Sequence, residues 1–356
     1  MKKLIVTLLL SAASLAAQQY KIAIIGMVHS HVWGHIGKMI EGKDAKLVGI
    51  YETEPDLIAE ANNRGATGVP FYNDYIKLLD LAKPDIVWAF VENNRHLEIV
   101  KACAPRKINV IFEKPLASSF ADAKEIRELA KKHDIKVLTN YQMAWWASNY
   151  TAFDQAKEGA VGQVWRLRGV VGHGGPGGNN GLNRFFFGWL TDPVKNGAGA
   201  LMDFGCYNAL WSLWYLGRPE TVYAQTNQLR PETFPKVEDN SSMILSYKNG
   251  VGIFEGSWDL PRSFQDLEVF GINGSLYMTN GKVERRIGRA RDSQSESLDI
   301  KALPPERSEP IAYMVHCLRT KQPIEGMVAL DINVGVNEII DAAKESVAKK
   351  QVIRLK

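Results

Sequence analysis

Between residues 21 and 140, short apolar runs alternate with stretches whose apolar positions recur at helical spacing. Lys21-Ile22-Ala23-Ile24-Ile25-Gly26 is apolar without interruption, as expected of a strand covered on both faces. Similar runs follow at 46–52, 85–90, 109–113 and 135–139. Between the last two, Ser118 and Ser119 are candidate N-caps, and Ala123, Ile126 and Ala130 share one helical face. Strands alternating with helices predict βαβ units around a parallel sheet.

After Tyr141 the strand-like runs come close together, at 164–171, 221–228, 242–247, 252–257, 267–270 and 275–279. Lys248-Asn249-Gly250 and Asn273-Gly274 are turn signals between neighbours. This predicts a largely antiparallel sheet, with a helix over 200–216 and a closing helix over 331–349. Residues 172–181 are too rich in glycine for either element and read as a loop able to cover a pocket. The expectation is an α/β protein: a parallel-sheet domain at 20–140, an α+β domain at 141–330, and a closing helical segment at 331–356.

A length of 356 residues agrees with two domains. The formal net charge is only +4, and no Lys/Arg run exceeds a pair, so a nucleic-acid partner is not expected. Cys103, Cys206 and Cys317 lie far apart, with neither zinc spacing nor a disulfide framework. Lys2 and Lys3 precede the apolar run Leu4 to Leu10, and small residues follow to Ala17. Residues 1–17 therefore read as a secretory signal peptide, and the protein as exported, either periplasmic or secreted. No other stretch is long and apolar enough to span a membrane.

A strand, then Gly26, then a helix is the arrangement that offers backbone N–H groups to a pyrophosphate. The turn runs Gly26, Met27, Val28, His29, Ser30, His31, so the second and third glycines of a G-x-G-x-x-G fingerprint are replaced. Glu52 ends the second strand, where a carboxylate can accept from a ribose 2′-OH and repel a 2′-phosphate. NAD is favoured over NADP on that ground. His29, His31 and His35 also invite a metal reading. Such a site needs further ligands at later strand ends, and His96, His133, His173 and His316 form no cluster. No metal is assigned.

Three constellations then occur in order: Asn93-x-x-His96, Glu113-Lys114-Pro115, and Gly197-Ala198-Gly199-Ala200-Leu201-Met202-Asp203-x-Gly205-Cys206-Tyr207. Together they resemble the glucose–fructose oxidoreductase / inositol dehydrogenase / rhizopine-catabolism (Gfo/Idh/MocA) family over nearly the whole chain after the leader. The resemblance implies an N-terminal Rossmann domain and a C-terminal domain with an open, mainly antiparallel sheet. It implies a last helix packed back on the Rossmann domain, and homo-oligomers, dimers or tetramers, formed through the sheet. By the resemblance Lys114 is the active-site lysine, Asp203 the substrate-side acid and Tyr207 the tyrosine-type partner. Asn93, His96, Glu113 and Lys114 join Gly26, Met27, Val28, His29, His31 and Glu52 on the cofactor side. The chain departs from the family pattern in its glycine turn and at Glu92, where proline is common.

Oxidising a sugar carbinol requires removal of a hydride and a proton together. A phenol near pKa 10 is a poor base at neutral pH, and a neighbouring ammonium lowers that value. Tyr207 as acid/base with Lys114 as electrostatic partner is therefore coherent. Aromatic residues at Trp145, Trp146, Phe185, Phe186, Phe187, Trp189, Trp211 and Trp214 suit a carbohydrate pocket. Tyr141, Gln142, Arg168, His173 and Arg184 are further substrate-contact candidates. The expectation is an NAD-dependent oxidoreductase acting on the CH–OH group of a sugar or polyol. The alternatives are an NAD-recycling enzyme that cleaves glycosides by oxidation and elimination, and a non-catalytic binding protein of the same fold.

Overall fold

The computed structural model describes residues 19–288, 290 and 293–356; the leader expected at 1–17 lies outside the described residues. The first half builds β1 (Tyr20–Met27), α1 (Val32–Glu41), β2 (Ala45–Tyr51), α2 (Pro55–Ala61), β3 (Phe71–Tyr72) and α3 (Tyr75–Ala82). It continues with β4 (Ile86–Phe90), α4 (His96–Cys103), β5 (Asn109–Glu113), α5 (Phe120–His133) and β6 (Val137–Asn140). All six strands are parallel, in the order β3-β2-β1-β4-β5-β6. Alternate residues of each strand feed cores on opposite faces. Ile22, Ile24, Trp88 and Ile111 pack with Ile36 and Met39 of α1. Ala23, Ile25, Val87 and Phe112 pack with Ile99 of α4 and Ile126 of α5. Burial on both faces is why these strands read as unbroken apolar runs. Of the two candidate caps, Ser119 starts α5: its Oγ accepts from Asp122 N at 3.1 Å. The strand order reverses between β1 and β4, which opens a crevice beyond their carboxyl ends.

The second half contains α6 (Ala147–Lys157), β7 (Val164–Gly172), α7 (Asn183–Leu190), α8 (Ala200–Asp203), α9 (Gly205–Leu216), β8 (Thr221–Asn227) and β9 (Asn240–Tyr247). Then come β10 (Gly250–Ser257), β11 (Phe264–Gly271), β12 (Gly274–Thr279), β13 (Lys282–Ile287), β14 (Ser295–Ser297), α10 (Pro310–Arg319), α11 (Leu330–Lys349) and β15 (Ile353–Arg354). The sheet order is β14-β13-β12-β11-β7-β10-β9-β8-β15. Only β7 and β10 pair in parallel; the other neighbours are antiparallel.

The sheet is thus open, mixed and mostly antiparallel. The helix expected over 200–216 breaks into two at Phe204. The aromatic segment that forms α7 was not expected to be helical. The closing helix does pack back on the first half. Asn337 Nδ2 donates to Ala117 O at 2.6 Å, and Asp341 Oδ2 accepts from Phe120 N at 2.7 Å. It also holds the second sheet, through Ser346 Oγ, which accepts from Ala224 N at 3.0 Å.

Candidate active site

β5 ends at the crevice with Glu113, and Lys114 follows. Asp203 reaches Lys114 from the other half of the molecule because of a close backbone approach. A Cβ on Gly199 would lie 1.9 Å from the Glu238 carbonyl oxygen, so only glycine passes. Glu238 Oε1 then accepts from Gly199 N at 2.8 Å and Leu201 N at 3.0 Å, which caps α8 and aims Asp203. Lys114 Nζ donates to the Asp203 carboxylate and, at 2.9 Å, to its carbonyl oxygen. Trp258 Nε1 donates to the second carboxylate oxygen at 2.8 Å. The two charged side chains are only 8% and 7% exposed.

Burial works against both charges, and their mutual attraction overrides it. Lys114 is held well above the usual lysine value despite desolvation, by Asp203 foremost. Asp203 is held below the usual carboxylate range despite desolvation, by Lys114 foremost. The pair is ionised at neutral pH. The Tyr207 ring lies 5.1 Å from Lys114 Nζ, and Tyr141 packs edge-on against it at 5.2 Å. Burial raises the Tyr207 phenol above its ordinary value, and the opposing pull of Lys114 does not cancel this. A cavity of about 350 Å³ opens above Lys114, Asp203 and Tyr207. His29, His31, Gln142, His173 and Phe186 wall it, with Gly175, Pro176 and Gly177 of the glycine-rich loop.

The β1–α1 turn borders the same cavity. Gly26 has φ +72°, and a Cβ there would meet Val91 Cγ1 at 2.6 Å, so glycine is required. Glu52 folds onto the turn. Its Oε2 accepts from Met27 N at 2.7 Å, and its Oε1 from Thr53 N at 2.7 Å and Glu54 N at 3.0 Å. His31 Nδ1 lies 2.8 Å from Glu113 Oε2. Asn140 Nδ2 donates to Glu113 Oε1 at 2.9 Å and is itself held by Trp145 Nε1 at 2.7 Å. Burial would raise the Glu113 carboxyl; the His31 hydrogen bond and nearby histidines bring it down to about 2. His29 is kept neutral, chiefly by desolvation. One potential ligand atom from each of His29, His31 and Glu113 lies within 4.8 Å of the others. Glu113, at a later strand end, supplies the third donor beside the two histidines.

α7 lies over this turn. Phe186 and Trp189 pack on the His29 ring at 5.0 and 5.4 Å, and Trp189 Nε1 donates to Val28 O at 3.3 Å. Arg184 pairs with Asp56, beyond Glu52, rather than facing the cavity. Arg168 falls on the opposite, open face of the second sheet. The period of two along β7 turns Leu167 and Val171 inward and Arg168 outward, into a groove with Arg262, Asp266 and Tyr277. Asn93 Nδ2 is taken by Asn196 Oδ1 at 2.7 Å, which ties the two halves together. His96 is fully buried, stacked on Phe112 at 4.2 Å with Nδ1 3.0 Å from Leu116 O. It supports the Glu113–Leu116 segment from behind. Trp258 and Asn140, which fix the key carboxylates, carried no sequence signal, because each is defined by a contact made only after folding.

A nicotinamide dinucleotide fits the two ends of this crevice. A carboxylate has roughly four lone-pair sites, and Glu52 engages three of them with backbone N–H groups, leaving one for a ribose hydroxyl. Lys114, Asp203 and Tyr207 stand at the other end, beside the small cavity. Between them α7 covers the turn.

Comparison with known proteins agrees with this architecture. Residues 20–141 match the family model of oxidoreductases with an NAD-binding Rossmann fold, and residues 151–277 match the GFO/IDH/MocA C-terminal domain. The myo-inositol 2-dehydrogenase of Thermotoga maritima is 27% identical over 274 residues, covering 73% of this chain and 75% of that protein. Aldose-aldose oxidoreductase from Caulobacter crescentus, solved with glycerol, superposes with a TM-score of 0.80 at 19% identity, covering 95% of this chain and 100% of that one. Levoglucosan dehydrogenase, solved with NADH and levoglucosan, gives a TM-score of 0.75 at 20% identity, covering 95% and 99%. At these identities the two structures show the shared fold.

Proposed function

The chain belongs to the GFO/IDH/MocA oxidoreductase family, and from that premise we propose that it interconverts a CH–OH group and a carbonyl on a sugar or polyol, using NAD. The observation that carries this reading is the buried Lys114–Asp203 pair with Tyr207, at the floor of a cavity of about 350 Å³. That volume suits a small polar ligand. The relatives named for inositol, an aldose pair and levoglucosan support the substrate class. Glu52 supports NAD over NADP, because a 2′-phosphate would meet its carboxylate.

When bound, the dinucleotide supplies the hydride acceptor or donor. Asp203 holds Lys114 in place and charged, and Lys114 places an ammonium beside the reacting oxygen. Tyr207 moves the proton. Its protonated phenol is ready to give a proton to a carbonyl oxygen during reduction. Oxidation needs the phenolate, which burial disfavours and Lys114 favours.

A second reading, that NAD stays bound and is recycled during glycoside cleavage, is favoured by α7 closing over the turn. Export through the leader is proposed with it, since free NAD is scarce outside the cell. We also propose a homo-oligomer through the second sheet. Tyr277, Glu268, Arg168, Ile253 and Ile244 form one cross-strand row on its open face, and Ile244 is 41% exposed.

The test is to denature the purified protein, identify any released nucleotide by mass spectrometry, and then assay NAD reduction on a panel of sugars and polyols. Bound NAD(H), or saturable NAD binding with turnover, is expected. No nucleotide, no binding on titration and no turnover would overturn the assignment.

A further inference from the structure

We propose that His29, His31 and Glu113 form a binding site for a divalent transition-metal ion, zinc foremost, whose open coordination positions face the Lys114 cavity. Two imidazoles and one carboxylate are a complete protein donor set for an ion that keeps positions free for water or substrate. Their candidate ligand atoms already lie within 4.8 Å of one another. Tetrahedral zinc at about 2.0–2.1 Å needs ligand separations of roughly 3.3 Å, so the widest separation in the cluster must close by up to about 1.5 Å, while His31 and Glu113, at 2.8 Å, are already close enough. His31 can supply that movement, because its side chain is 43% exposed and turns on the cavity edge. Glu113 and His29 are buried and fixed.

Three further features suit a ligand set. The Glu113 carboxylate is oriented from behind by the chain Trp145 Nε1 to Asn140 to Glu113 Oε1, the kind of outer support that ligating carboxylates receive. His29 offers an imidazole nitrogen to the cluster. Its Nδ1 accepts only a long hydrogen bond, 3.3 Å from His31 N, so resetting its tautomer gives up little. The cavity above the cluster also contains Lys114, Asp203, Tyr207 and His173. An ion here would present its open positions to the same small ligand, and vicinal hydroxyls are the groups to chelate it. The inference goes beyond the dehydrogenase reading and does not rest on it.

The test uses the purified full chain, stripped with a chelator and given no nucleotide. Co²⁺ is titrated and followed by its d–d absorption, and Zn²⁺ is then added in competition. One equivalent of Co²⁺, displaced by Zn²⁺, is expected. His31→Ala and Glu113→Gln should each weaken binding at least tenfold. His31 is on the cavity edge, so His31→Ala should keep the far-UV circular dichroism of the parent, with a lower melting temperature because buried Glu113 loses its His31 hydrogen bond, even if Glu113→Gln does not fold. No saturable Co²⁺ signal in the parent, or unchanged affinity in a folded His31→Ala protein, overturns the proposal. Nucleotide content is measured separately, so failure of the cofactor reading leaves this result standing, and the reverse.

Discussion

Asp203→Asn isolates the electrostatics at the centre of the site. The substitution keeps the shape and leaves an amide oxygen for Trp258 Nε1, but removes the charge that offsets buried Lys114. Breaking one side of a buried ion pair destabilises a protein by about 3–5 kcal/mol, because the other charge stays desolvated. At roughly 2–4 °C per kcal/mol, the melting temperature should fall on the order of 10 °C. Lys114→Met in the Asp203→Asn background removes the stranded charge, so the double variant should melt above the Asp203→Asn single.

The pH dependence follows from the directions of the two shifts. Lys114 is raised above its ordinary 10.5, so its contribution is complete below that value and is lost as pH climbs through the higher folded value. Asp203 is lowered below its ordinary 3.8, so its contribution is complete above that value and is lost as pH falls through the lower folded one. The gap between parent and Asp203→Asn should therefore be flat from about pH 5 to pH 9. Differential scanning fluorimetry across that range reads all of it. A single variant within about 2 °C of the parent, or a double variant that is additively worse, would refute the account of a mutually dependent buried pair.

Tyr207→Phe should lower kcat/KM at least tenfold, about 1.4 kcal/mol. In the parent, kcat/KM for oxidation should still be rising at pH 9, since burial holds the phenol above its ordinary 10.0; a plateau near neutral pH assigns the proton transfer elsewhere. Glu52→Ser should shift the ratio of kcat/KM for NADP over NAD upward at least tenfold, and an unchanged ratio would remove Glu52 from ribose recognition. Trp189→Phe combined with Arg184→Ala deletes the hydrogen bond to Val28 O and the exposed pair with Asp56. Stopped-flow NADH fluorescence should then show faster cofactor exchange, with some loss of stability because Trp189 is buried, and an unchanged rate would mean that α7 does not gate the crevice.

The parallel sheet was legible because strands such as β1 and β4 are buried on both faces, which leaves continuous apolar runs. The rest of the fold was harder for definable reasons. β14, an edge strand, and β13 beside it consist of mostly polar residues, and their ladder partners alone define them. α7 reads as a bare aromatic run, because its rings divide between the cavity, the His29 turn and Phe234. In the site, Lys114, Asp203 and Tyr207 were readable as motifs, and the cavity places them together. Arg168, a substrate-contact candidate in the sequence, lies on the open face of the second sheet. Strand parity, which sends it to the open face, depends on register, and register depends on partners that the sequence does not name.

The replaced glycines of the β1–α1 turn become intelligible only in that packed context. Glycine at these positions lets a phosphate approach the backbone. Here Val28 and His31 stand at those positions, and His31 reaches a carboxylate from β5 while α7 packs on His29. A chain that merely lost its nucleotide site would have no need to hold Glu113 from both sides, by His31 and by Asn140. The histidines and Glu113 are therefore better understood as one assembly than as a degraded fingerprint. His29 and His31 of that assembly line the same cavity as Lys114 and Tyr207. The Co²⁺ titration and the nucleotide assay, run on one preparation, separate a dehydrogenase with an unusual turn from a dehydrogenase that also holds an ion.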